Sequence, residues 1–171
     1  MLQSGSTYHR TYHVIQYQTI QISTCYFTMP HNLQRFITAQ QNDYPAALAE
    51  IKQGRKRSHW MWYIFPQIAG LGFSETSRHY ALKNVDEAQA YLNHPVLGSR
   101  IIEICTELLK LPINNATQIF GTPDDMKLRS CVTLFGALPK TNAVFQQVLA
   151  QFFNGEGDSK TLRIITDLHQ L

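Results

Sequence analysis

The sequence is poor in the residues on which small metal proteins and disulfide scaffolds are built. Its 171 residues hold three cysteines, Cys25, Cys105 and Cys131, an odd number without a Cys-x-x-Cys spacing. That excludes a zinc ribbon or a closed disulfide framework and points to a reducing, cytoplasmic setting. No window approaches the ~20 consecutive apolar residues that cross a bilayer, so no membrane partner is expected. Arg10 stands near the N-terminus, but Gln16, Gln18 and Gln21 interrupt the apolar residues after it, against a secretory leader. There is no Walker loop, dinucleotide fingerprint, nucleophile elbow or zinc-ligand spacing, so neither cofactor nor metal is expected. Gly70-Leu71-Gly72 lacks the third glycine and the preceding strand of a phosphate loop, and Glu75 would repel an anion there. A large charge excess is missing too: 15 Lys and Arg against 12 Asp and Glu leave +3, short of the broad basic stripe of a dedicated nucleic-acid binder.

What is abundant is apolar and aromatic surface. Two Trp, eight Tyr and nine Phe within 44% hydrophobic content supply one core in a chain of one-domain length. The densest stretch lies between Gly54 and Gly72, where Arg55, Lys56, Arg57, Ser58 and His59 run straight into Trp60-Met61-Trp62-Tyr63-Ile64-Phe65. The apolar run cannot be left in water and the cations cannot be buried unpaired, so the chain must pass from surface to core here. Apolar walls with a few convergent polar groups are also the composition of ligand pockets.

Residues 1–28 differ from the rest. They hold no acidic residue and alternate with period two in Ile15-Gln16-Tyr17-Gln18, which reads as a non-helical, strand-like extension outside the domain. His9 and His13 are spaced i, i+4 but have no further ligands at hand. From Met29 to Leu171 the period becomes helical. Asn32 is placed to cap a first short helix, Asn42-Asp43 to separate it from a second, and Gly54 to end that one. Ser74 is placed to cap a helix to about Lys83, and Asp86-x-x-Gln89 has the form of a capping box. The stripe from Leu97 to Leu111 is the longest and marks a central helix. Thr122 and Pro123 are placed to open a helix to Leu138, with Asp124 and Asp125 in its first turn. Asn142 and Ser159 start the last two helices. The expected fold is therefore all-α, one multihelical domain of about eight short to medium helices.

Arg55, Lys56, Arg57 and Ser58 can be read as an anion clamp, since guanidinium groups offer paired donors to phosphate or carboxylate, or as solvated cations beyond a helix C-terminus. His59 is the side chain whose ordinary pKa suits proton transfer near neutrality, and it would need an orienting aspartate, Asp124 or Asp125. Trp60 and Trp62 are core anchors or a stacking wall. At about 100° per residue Asp124 faces the same way as Leu128 and Cys131, whereas Asp125 and Arg129 lie together beside it. An acid turned toward a core face must find a partner, and the basic cluster before His59 is the obvious one.

Three stretches carry a family resemblance: Gly54 to Trp62 with Phe65-Pro66-Gln67 and Gly70-Leu71-Gly72; His94-Pro95-Val96-Leu97-Gly98; and Ile119 to Asp125 with Lys127-Leu128-Arg129-Ser130. In this order they resemble the uncharacterised bacterial family catalogued as domain of unknown function 1810, from about Asn32 to the C-terminus. The resemblance implies a multihelical single domain and brings no activity, cofactor or catalytic residue. From the residues themselves the expectation is a pocket for a small anionic ligand, a nucleotide or sugar phosphate, at Arg55 to Trp62 with Asp124, Asp125 and Arg129. If the ligand is hydrolysed, His59 and Asp125 are the candidate catalytic pair. The alternative is a non-catalytic module for nucleic acid or a protein partner.

Overall fold

The computed structural model describes residues 32–168. The expected extension, with His9, His13 and Cys25, lies outside the described residues. Among the described residues nine helices succeed one another: α1 (Gln34–Lys52), α2 (Met61–Ile64), α3 (Glu75–His79), α4 (Val85–Asn93), α5 (Leu97–Leu109), α6 (Ala116–Phe120), α7 (Asp124–Gly136), α8 (Val144–Phe153) and α9 (Ser159–Leu168). The sole extended pairing among them is an isolated parallel bridge between Ile68 and Leu82. The fold is all-α, with nine helices in place of about eight. Among the described residues no helix is long and apolar enough to cross a membrane.

The first difference from the sequence expectation is α1, one helix of 19 residues with Pro45 inside it. Phe36, Gln40, Tyr44, Ala47 and Ile51 form a continuous buried stripe through the expected break. Tertiary bonds hold both sides of Asn42-Asp43: Gln40 donates to the Tyr63 carbonyl at 2.7 Å and to Tyr91 Oη at 2.8 Å, and Tyr44 donates to Glu103 at 2.6 Å. Packing of the stripe thus outweighs the hydrogen bond that Pro45 removes.

Capping corrects several other expectations. Ser74 accepts from Ser77 N as expected, yet α3 ends at His79 because Leu82 is drawn into the bridge with Ile68. The cap of α4 is Asn84, which accepts from Glu87 N at 2.9 Å, so the capping pair lies two residues earlier than Asp86 and Gln89. Pro123, joined to Thr122 by a cis peptide bond, replaces Thr122 at the start of α7. Asp158 and not Ser159 caps α9, accepting from Thr161 N at 2.8 Å and Thr161 Oγ1 at 2.7 Å. Gly54 does end α1 with φ +69.

The core gathers on α5 and α7. Leu97, Ile101, Ile104, Cys105 and Leu108 of α5 are buried, and α5 packs on α1, α4 and α8. From α7, Phe135 stacks on Phe145 at 5.5 Å and meets Tyr91 at 5.5 Å. Burial pushes the Cys105 and Cys131 thiols up, so both behave as small apolar groups. Where α4 meets α5 the backbones touch: a Cβ on Gly98 would lie 1.9 Å from the Leu92 carbonyl oxygen. Gly98→Ala is therefore expected to cost about 3 kcal/mol, the upper end of overpacking penalties, and to lower the melting midpoint by roughly 6–12 °C. Differential scanning calorimetry checks this, and a drop of only a degree or two contradicts the tight α4–α5 approach.

Candidate functional site

The stretch between α1 and α2 is fixed by a residue that the sequence did not single out. Glu50, in the last turns of α1, accepts from Arg57 N at 2.7 Å, Ser58 N at 3.2 Å, Ser58 Oγ at 2.6 Å and Trp60 Nε1 at 2.8 Å. Burial alone would raise its pKa, but the bonds from Ser58, Arg57 N–H and Trp60 outweigh that and hold it below the ordinary carboxylate range. With its indole N–H satisfied, Trp60 can be buried, and it packs on Phe65 and Phe120 with centroids 6.1 and 6.3 Å away. Trp60 is a core anchor.

The cations of this loop divide into two sets. Lys56 turns inward: its Nζ lies 2.7 Å from Asp124 Oδ2, donates to the Ser58 carbonyl at 2.7 Å and stands 5.2 Å from the Trp60 ring centroid. Asp124 gives its other oxygen to Lys127 at 2.7 Å, and Lys127 lies 4.4 Å from the Trp62 ring centroid. A half-buried row Lys56, Asp124, Lys127 results. Burial would raise the Asp124 pKa, but the bonds from Lys127 and Lys56 outweigh it and hold the carboxyl low. Arg55, Arg57 and His59 turn outward; they are exposed, and their side chains make no hydrogen bond or ion pair among the described residues.

The remaining expected site residues lie apart from that loop's outer face. Asp125 accepts from Thr117 Oγ1 at 2.5 Å and Thr122 Oγ1 at 3.3 Å. Arg129 donates to the Glu156 carbonyl at 2.9 Å and its carboxylate at 3.2 Å. Both aspartates are thus engaged by lysines or threonines, and neither orients the His59 ring. Among the described residues no group of three or more His, Cys, Asp and Glu is placed to hold a metal ion.

Two clefts flank α7. The first, about 380 Å³, is walled by Trp62, Phe73 and Met126, with Gln67, Lys127, Ser130 and Lys160 offering polar atoms. Ser130 is 5% exposed, and its hydroxyl has no hydrogen-bond partner among the described residues; neither do the Gln67 amide, the Trp62 indole N–H or the Lys160 ammonium. Phe73 stands 85% exposed at the rim. The loop carrying it lies so close to α3 that a Cβ on Gly72 would fall 2.6 Å from Ser77 Cβ. The second cleft, about 490 Å³, is lined by Asn114, Asp125, Arg129, Gln151, Phe153 and Asn154 among others.

Gln67 and Ser130 sit inside the motifs that carry the resemblance, and Lys127 and Ser130 share a face of α7 at i, i+3; that spacing was the available signal. Phe73 and Lys160 left none, because only folding brings them to the cleft.

The depressed carboxyls of Glu50 and Asp124 make a pH prediction. A folded pKa below the unfolded value contributes stability that is complete above the unfolded pKa and is lost as pH falls through the folded one. Unfolding midpoints should therefore decline as pH drops below about 4.5, the ordinary glutamate value. Glu50→Gln should lower the midpoint at neutral pH and flatten that decline, as read by urea unfolding between pH 3 and 7. An unchanged acid slope in the variant contradicts a stabilising Glu50 carboxylate.

Comparison with known proteins agrees with this architecture. No curated protein matches the chain. A solved structure similar to it is the conserved hypothetical protein Rv1873 from Mycobacterium tuberculosis, 39% identical, with a TM-score of 0.78 over 80% of this chain and 98% of that one. The family described as "Protein of unknown function (DUF1810)" matches residues 30–165, and the chain belongs to that family.

Proposed function

We propose that the protein binds a small anionic molecule of the nucleotide or sugar-phosphate class in the first cleft beside α7. The observation that carries this reading is the gathering in one cleft of the Ser130 hydroxyl, the Gln67 amide, the Trp62 indole N–H and the Lys160 ammonium, none of which has a hydrogen-bond partner among the described residues. Polar groups that line an apolar-walled cleft without bonding one another are free to meet a ligand's donors and acceptors. Lys127, already fixed by Asp124 and the Trp62 face, adds positive potential without having to be ordered on binding. The exposed Phe73 and the Trp62 ring offer surfaces for a planar or apolar part. Binding without turnover is favoured over hydrolysis, because His59 lies outside the linings of both clefts and Asp125 lines the other one.

A second reading rests on Arg55, Arg57 and His59, which project from a loop that Glu50 holds rigid. Exposed, pre-ordered cations suit an acidic macromolecule such as nucleic acid.

Titration calorimetry with pyrophosphate, ADP, UDP and glucose 6-phosphate tests the first reading. At least one of these should bind, and at about a hundred times its dissociation constant should stabilise the fold by roughly 2.7 kcal/mol. Lys160→Ala should weaken that binding about tenfold or more, as expected for loss of a charged contact, with the unliganded midpoint unchanged. Failure of every small anion, together with salt-sensitive binding of an oligonucleotide that Arg57→Ala abolishes, would replace the first reading by the second.

A further inference from the structure

The two clefts are separated by one side chain. At about 100° per residue, Arg129 stands roughly 40° from Asp125 around α7, Met126 about 100°, Ser130 about 140° and Lys127 about 200°. Asp125 and Arg129 thus face the second cleft, Ser130 and Lys127 the first, and Met126 rides the ridge between them. It lines both clefts and is 62% exposed. An unbranched thioether is flexible and polarizable, so this ridge can flatten under a ligand that crosses it.

The chemistry of the two sides is complementary. The first cleft holds two cations, Lys127 and Lys160, against one carboxylate, Asp158, whose Oδ2 is taken up by Thr161, together with the aromatic walls. The second offers amides: the Asn114 and Asn154 side chains have no hydrogen-bond partner among the described residues, and Gln151 uses only its Nε2, on the Leu111 and Ile113 carbonyls. Its single cation, Arg129, is already paired with Glu156 and stands 5.8 Å from the Phe153 ring centroid. Asp125 adds a negative charge. An anion gains little in this second cleft, whereas hydroxyl groups can both donate to and accept from amide side chains.

Resting on the reading of the first cleft as an anion site, we propose that the two clefts form one bipartite site for a nucleoside diphosphate sugar. The base lies against Trp62 and Phe73, the diphosphate meets Lys127 and Lys160, and the sugar crosses Met126 to the amides of Asn114 and Asn154. Titration calorimetry on the full chain compares ADP with ADP-ribose and UDP with UDP-glucose. At least one sugar nucleotide is expected to bind about tenfold tighter than its parent diphosphate. The double variant Asn114→Ala, Asn154→Gly should erase that advantage and leave diphosphate affinity unchanged; glycine suits position 154, where φ is +54. Lys160→Ala should weaken both members of a pair equally. If diphosphates bind but their sugars add nothing, or the double variant keeps the advantage, the bipartite site is overturned and the anion cleft stands. If neither diphosphates nor their sugar derivatives bind, the bipartite site falls, and the anion reading falls with it only where pyrophosphate and glucose 6-phosphate fail to bind as well.

Discussion

The ion pair between Lys56 and Asp124 is the contact on which the site's geometry depends. It joins the loop after α1 to the first residue of α7 at 2.7 Å, with the lysine side chain 8% and the aspartate 17% exposed. Neither charge could sit there alone, since an unpaired charge in such surroundings costs several kcal/mol. The pair therefore locks the register between the aromatic stretch and α7. Because Asp124 also holds Lys127, and Lys127 lies over Trp62, one carboxylate sets the position of two cations and two tryptophans. Glu50 completes the arrangement from the other side by ordering the loop backbone and the Trp60 indole.

α7 consequently does two kinds of work. Leu128, Cys131, Val132 and Phe135 face the core, while Asp125, Met126, Arg129 and Ser130 border open clefts. The rigid interior behind the helix, with Phe135 between Tyr91 and Phe145, prevents it from yielding when its outer face is loaded. Around the first cleft the surrounding elements are short: the glycine loop, the start of α3 and the start of α9.

Much of the architecture is legible in the sequence. The apolar stripe from Leu97 to Leu111 marks α5, Asp124 to Leu138 marks α7, and the partner of Asp124 is indeed in the basic cluster, since an inward acid needs a counter-charge. The misreadings share a cause. Asn42, Asp43 and Pro45 are local breakers, but local propensity amounts to little beside the buried face they interrupt. Asn84 and Asp158 outcompeted Asp86 and Ser159 as caps because the chain's approach angle is decided by what it packs on.

By itself the sequence determined the helical class, the two central helices, the core aromatic residues and the charge balance, because periodicity and burial preference are properties of neighbouring residues. Only the tertiary structure decided which of the clustered cations are available. Lys56 turns to Asp124, Arg55 and Arg57 turn to solvent, and Lys160, more than a hundred positions along the chain from Lys56, comes to the cleft beside Trp62. Local spacing cannot carry that information, since the direction of a side chain at a surface-to-core boundary is set by the partner that folding places opposite it.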